Sequence, residues 1–247
     1  DRPVFSLQMT ATKTFSVEIS QPDRSNPVNL SLFDDIPTPY LAPQTIAPGA
    51  VLLRGFAADM TEDLVQSVMQ VIAGAPLRHL VTPGGKAMSV GMTNCGALGW
   101  TSSRAGYRYV GIDPLSGQPW PDMPGCFADL AVRAAAEAGF EGFRLDACLV
   151  NRYQPGARMS LHQDRDEADM TMPIVSVSLG LPAIFLFGTN RRSDRPARYH
   201  LAHGDVVVWG GAARLAYHGV APLADGDHAR LGRQRINLTF RCAGQKG

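Results

Sequence analysis

The 247-residue sequence predicts an α+β fold in which helices pack on a β-sandwich or barrel-like roll, and three features point there. The second half carries short β-rich runs separated by Gly, Pro and Asp. The first half holds two segments with apolar residues at helical spacing. Composition is 45% hydrophobic and 18% charged, ordinary for a globular chain and too apolar for a disordered one. The length sits near the size at which one domain is the simplest reading.

Along the chain, residues 1–48 are rich in Pro, Ser, Asp and Thr without a sustained period, so an irregular or partly disordered N-terminal arm is expected, ahead of one domain over 49–247. Asp1 to Ile19 holds charges and threonines where an export signal would place an apolar block, which leads to a cytoplasmic expectation. Thr61 to Ala75 reads as a helix, with Leu64, Val68, Val71 and Ile72 on one face and acidic residues in its first turn. Pro124 to Ala138 reads as a second, ended by Gly139. Ala147 to Tyr153, Pro173 to Leu181, Ala183 to Gly188, Asp205 to Trp209 and Arg235 to Arg241 read as strands. The most apolar stretch, Ile174 to Gly188, is broken by serines and a proline and falls short of the ~20 apolar residues of a membrane helix.

Cys95, Cys126, Cys148 and Cys242 are widely spaced, which argues against a zinc knuckle and for buried thiols. A net charge of +1 excludes a generally basic nucleic-acid coat and leaves only a local patch. Asn190 to Arg198 is one, with Arg191, Arg192, Arg195 and Arg198 on a loop. It reads equally as a solvated loop, since Arg outnumbers Lys 20 to 3 throughout.

His162-Gln163-Asp164 places an imidazole and a carboxylate on the same side of an extended segment. By itself the pair is also compatible with a surface hydrogen-bonding feature. His218, just after a predicted strand, offers a third ligand. Two imidazoles and one carboxylate leave three octahedral positions open, as non-haem Fe(II) needs; zinc more often wants a closed tetrahedron or a water-activating site. The segment Arg235 to Arg241 favours the metal. Read as a strand, it puts Arg235, Asn237, Thr239 and Arg241 on one face and Ile236, Leu238 and Phe240 on the other. A solvent face over a core face would give the same pattern. The alternative is an apolar face packed against a helix and a polar face lining a site, with two arginines along ~20 Å of strand able to clasp a short dicarboxylate such as 2-oxoglutarate. Leu149, Asn151 and Tyr153 share a face of the strand before His162 and add an amide and a phenol.

These residues, with Val81 to Gly85, Met92 to Gly96, Gly99-Trp100, Ser176 to Gly180 and Gly204 to Gly211, resemble the AlkB family of oxidative nucleic-acid dealkylases over roughly residues 30–244. The resemblance implies a double-stranded β-helix (jelly-roll) core with flanking helices, and a nucleotide-recognition lid at about residues 75–120 of an Fe(II)/2-oxoglutarate dioxygenase domain. It assigns His162, Asp164 and His218 to iron, and Asn151, Tyr153, Arg235, Asn237 and Arg241 to 2-oxoglutarate, with dioxygen as the other co-substrate. It implies that Trp100 and His162 sandwich the alkylated base and that Thr82 and Tyr107 contact the nucleotide backbone. Asp166 would meet the exocyclic amino group, and Arg192 of the basic loop is a further candidate substrate contact. A flipped, cationic base needs stacking surfaces and favours a carboxylate at its edge. The implied partner is alkylated DNA, single- or double-stranded, or RNA, handled by a monomer without a membrane. The implied reaction oxidises the methyl groups of 1-methyladenine and 3-methylcytosine to formaldehyde. An oxygenase acting on a protein or small molecule lacks a use for Trp100, Tyr107 and Asp166, and a non-catalytic β-roll lacks one for the ligand triad. A zinc hydrolase leaves the arginine-bearing strand without a role.

Overall fold

The computed structural model describes residues 41–244, all in one compact unit; the N-terminal arm expected over 1–48 lies outside these residues as far as position 40. Two helices, α1 (Thr61–Gly74) and α2 (Gly125–Glu137), match the sequence reading to within a residue at each end. Their apolar stripes include Leu64, Val68 and Val71 on α1 and Phe127, Leu130 and Ala134 on α2. Gly139, at φ +86, ends the second helix with its N–H on Ala136 O, a left-handed position that glycine adopts without steric cost.

Fourteen strands are formed among the described residues. They are β1 (Gln44–Ala47), β2 (Ala50–Leu53), β3 (Arg78–Val81), β4 (Ala87–Gly96), β5 (Gly99–Ser103), β6 (Gly106–Val110) and β7 (Ala147–Tyr153). The rest are β8 (Met159–His162), β9 (Ile174–Gly180), β10 (Ala183–Phe187), β11 (Ala197–Leu201), β12 (Val206–Trp209), β13 (His218–Val220) and β14 (Arg235–Arg241). A major antiparallel sheet runs β1-β2-β12-β9-β14-β7-β4-β3 and a minor one β11-β10-β13-β8, while β5 and β6 form a separate ribbon. Two antiparallel sheets with flanking helices make the jelly-roll that the resemblance implies.

β7 and β14 have the bounds read from sequence, and β9, β10 and β12 are trimmed by one residue where they were over-extended. The strands of the first half are the main departure. β1 lies inside the stretch expected to be irregular, because Gly49, at φ +81, turns the chain back on β2. β4 escapes a pattern search because its buried positions include Thr93 and Asn94. Both are satisfied: Thr93 Oγ1 donates to Ala75 O at 2.7 Å, and Asn94 exchanges hydrogen bonds with the Trp100 backbone at 3.0 and 3.1 Å. Among the described residues no helix is long and apolar enough to cross a membrane. All four cysteines are free thiols; three are buried, but Cys126 is half-exposed beside Ser67 Oγ at 3.3 Å, so the expectation of four buried thiols holds for three.

The alternation of β14 organises the interior. Ile236, Leu238 and Phe240 join Val150 of β7, Val177 of β9 and Val208 of β12 in the core beneath the helices. The opposite face of β14 looks between the two sheets. There one apolar cluster gathers Ile174, Phe185, Phe187 and Trp209, and another gathers Met92, Leu149, Tyr153 and Val220. Phe240 is fully buried and meets Phe127 edge to face, with centroids 5.9 Å apart. Phe240→Ala should therefore cost about 3–5 kcal/mol of stability through lost burial and the cavity left behind. Urea unfolding measures it, and a loss below about 1 kcal/mol would show that this face does not carry the core.

Candidate active site

β8 and β13 are paired in the minor sheet with His218 opposite His162, which sets the two imidazoles side by side, ring centroids 4.4 Å apart. Asp164 follows β8 and is buried beneath them. His162 Nε2 lies 3.6 Å from Asp164 Oδ1 and His218 Nε2 lies 3.7 Å from Oδ2. One ligand atom from each of the three lies within 4.8 Å of the others. Nδ1 of His162 faces Ser160 O at 2.9 Å and Nδ1 of His218 faces Ala216 O at 3.0 Å. A carbonyl only accepts, so each Nδ1 carries a proton and each Nε2 faces the carboxylate. Burial, reinforced by the neighbouring His162, pulls the His218 pKa down to about 4, so the ring is neutral at pH 7. This donor set suits an octahedral ion with three remaining positions open.

The carboxylate is fixed from behind. Burial alone would favour its protonation, but Arg241, His218 and His162 outweigh that and hold Asp164 well below the usual carboxylate range. Arg241 reaches Asp164 Oδ2 with Nη2 at 2.6 Å and Nε at 3.0 Å, and its Nε lies 3.3 Å from Glu167 Oε1. Arg214 donates to Asp164 O at 2.6 Å and to Glu167 Oε2 at 3.0 Å, while Tyr109 OH donates to Glu167 Oε1 at 2.7 Å. Two buried carboxylates are thus matched by two buried guanidiniums, which limits the desolvation penalty.

Arg235 has no such match. It is 1% exposed, and among the described residues no carboxylate pairs with it. Its Nη2 donates to Ser178 Oγ at 2.9 Å and its guanidinium lies 5.1 Å from the Tyr153 ring centre, yet Nε and Nη1 have no hydrogen-bond partner. The side chain borders a cavity of about 50 Å³ that is also lined by Asn151, Tyr153, His162, His218, Asn237 and Arg241. Asn151 Oδ1 is likewise buried without a partner. Unpaired buried donors around a cavity call for a ligand, and two free guanidinium donors fit one end of a dicarboxylate. Asn237 is different: it donates to Ser176 Oγ at 2.8 Å and Val177 O at 3.0 Å and accepts from Thr239 at 2.9 Å, so it braces the cavity wall.

A second, larger cavity of about 310 Å³ shares His162, Leu149, Met159 and Arg241 with the first. Thr82, Trp100, Tyr107 and Asp166 line it, as the resemblance leads one to expect. Trp100 stacks on Tyr107 at 5.1 Å and 18°, and its Nε1 donates to Asp166 Oδ2 at 3.0 Å. Arg192 lines neither cavity; it donates to Leu161 O at 2.8 Å and lies 5.7 Å from the Tyr217 ring centre.

All the residues singled out in the sequence except Arg192 therefore line one cavity or the other, with two changes of partner. Arg241, expected to clasp the dicarboxylate, is anchored on Asp164, and Asp166, expected to face the base, already holds an indole N–H. Tyr109, Glu167 and Arg214 escaped sequence reading because their network joins residues as far as 77 positions apart. Ser176 and Ser178 left a legible signal, two serines at strand period within an otherwise apolar run.

The sequence pattern of the 2OG-Fe(II) oxygenase superfamily matches residues 49–241. The chain is 55% identical over 217 residues to the alpha-ketoglutarate-dependent dioxygenase AlkB of Escherichia coli (strain K12), covering 88% of this chain and 99% of that protein. It is 38% identical over 141 residues to the tRNA demethylase abh1 of Schizosaccharomyces pombe, covering 52% of this chain and 46% of that one. The solved structure of OsALKBH1 superposes with a TM-score of 0.71 at 28% identity, over 83% of this chain and all (100%) of that one. With the ligand triad, the cavities and a 55% identical relative matched along almost its whole length, the chain belongs to the AlkB family within the 2OG-Fe(II) oxygenase superfamily.

Proposed function

We propose that this dioxygenase removes methyl groups oxidatively from 1-methyladenine and 3-methylcytosine in DNA, with RNA as the second polymer class. The observation that carries the reading is the position of the triad, which lies at the junction of a small anion-seeking cavity and a larger aromatic-walled one. His162, Asp164 and His218 would hold Fe(II), and Arg235 would take the distal carboxylate of 2-oxoglutarate, with Asn151, Tyr153, Asn237 and Arg241 around it. When bound, these groups supply the oxidation of a methyl C–H bond by dioxygen, coupled to conversion of 2-oxoglutarate to succinate and carbon dioxide; the hydroxymethyl product then releases formaldehyde.

The chain's own part is positioning and charge. Arg241 keeps Asp164 ionised, and the Ser160 and Ala216 carbonyls hold each Nδ1–H, so that each histidine turns its Nε2 toward the metal position. Trp100, backed by Tyr107, offers one stacking face to an extruded base and His162 the other, and Asp166 adds a negative charge where a ring-methylated base is cationic. Residues 75–120, which include the β5–β6 ribbon, act as the nucleotide lid, with Thr82 and Tyr107 on the backbone; Arg192 meets the strand outside the cavities. The name of the yeast relative, a tRNA demethylase, supports a nucleic-acid substrate. Mass spectrometry of a 3-methylcytosine oligonucleotide after incubation with protein, Fe(II) and 2-oxoglutarate tests the reading directly. Replacement of methyl by hydrogen is expected, and an unchanged mass with succinate still released would move the substrate to another class.

Two variants divide the site. Arg235→Ala removes the buried cation from the distal carboxylate, so 2-oxoglutarate binding should weaken by at least a hundredfold, in line with the ~3–5 kcal/mol cost of breaking a buried charge pair. An unchanged 2-oxoglutarate requirement would refute the assignment. Asp166→Ala should lower repair about ten- to a hundredfold, because a hydrogen bond to a charged group contributes ~1.5–3 kcal/mol, while substrate-free conversion of 2-oxoglutarate to succinate persists. Normal repair, or equal loss of both activities, would show that Asp166 does not serve the base.

A further inference from the structure

Buried polar atoms without partners are few among the described residues: Asn151 Oδ1, Arg235 Nε and Nη1, Trp209 Nε1 and His228 Nε2. Three of these residues, Asn151, Arg235 and Trp209, line the same cavity of about 50 Å³. The proposed site uses Arg235 and Asn151 and leaves Trp209 unexplained. Trp209 ends β12 and is 1% exposed. Its ring packs 4.8 Å from His218 and 6.0 Å from Phe185, centre to centre. A buried indole N–H nearly always finds an acceptor, and leaving one unmade is costly. The apolar neighbours Phe185 and Phe187 offer none.

Resting on the reading of this cavity as the 2-oxoglutarate site, we propose that Trp209 is a positioning residue whose indole N–H donates to an oxygen at the 2-oxo-acid end of the co-substrate. The small cavity has two kinds of free donor: the Arg235 guanidinium, and an indole packed against the candidate metal ligand His218. A molecule with a carboxylate at one end and a metal-seeking 2-oxo-acid group at the other satisfies both.

Indole ¹⁵N–¹H spectra of the full chain loaded with Zn(II), recorded with and without 2-oxoglutarate, test this. The three tryptophans, Trp100, Trp120 and Trp209, give three signals, assigned through single Trp→Phe variants. The ligand has no ring and adds no ring current of its own, and slower solvent exchange accompanying a downfield move reports a hydrogen bond. The Trp209 signal should move downfield and exchange more slowly with solvent, while that of Trp120, whose N–H is already on Val110 O at 2.9 Å, stays in place. Calorimetry should show Trp209→Phe binding 2-oxoglutarate about three- to tenfold more weakly, as for one net hydrogen bond, with Zn(II) affinity unchanged. If 2-oxoglutarate binds and the Trp209 signal stays still, the proposal is overturned and the co-substrate site stands. If 2-oxoglutarate does not bind, both fall. The unsubstituted protein decides the matter even if Trp209→Phe fails to fold.

Discussion

A strand buried on both faces that carries arginine, asparagine and threonine on one of them can exist only where the chain supplies anions or leaves room for them. β14 is that strand: all seven of its residues are buried. Its apolar side anchors it beneath α1 and α2, so its polar side is committed to the space between the sheets. Arg241 finds Asp164 and Glu167 there, and Arg235 finds no carboxylate. Much of the site's chemistry follows from that asymmetry. The first arginine fixes the charge and orientation of a metal-ligating carboxylate, and the second waits beside a cavity for an anion from outside.

The two cavities meet at His162, which lines both. The cavity proposed for the co-substrate is small and lined by residues of β7 and β14 in register, with Arg235 opposite Tyr153 and Asn237 opposite Asn151. Rigid paired strands hold such donors more tightly than loops do. The cavity proposed for the substrate is larger and built partly from the β5–β6 ribbon, whose Trp100 and Tyr107 stack on one another. Its link to the metal runs through Tyr109, which sits opposite Trp100 in the ribbon and reaches Glu167, and from there Arg241 and Asp164.

Legibility in the sequence followed the range of the interactions. β7 and β14 were readable to the residue because their alternation is local, and the helices because their apolar stripes and the terminal Gly139 are local too. β4 was not, because its buried Thr93 and Asn94 are satisfied by Ala75 and Trp100, partners that only the folded chain brings near. The triad could be proposed from His162 and Asp164, two residues apart, but the pairing of His218 with His162 depends on β13 lying beside β8. Strand alternation named Arg241 and the resemblance named Asp166 as site residues, yet neither could show that the first would take Asp164 or the second the Trp100 indole.

The central claim, that one metal joins an anion cavity to a base cavity, is tested most directly by a crystal structure of the chain with Mn(II) and 2-oxoglutarate. One metal peak bonded to His162 Nε2, His218 Nε2 and the Asp164 carboxylate is expected, with the distal carboxylate of 2-oxoglutarate resting on Arg235 Nε and Nη1. A metal bound elsewhere, or a co-substrate lying in the Trp100 cavity with Arg235 still unpaired, would contradict it.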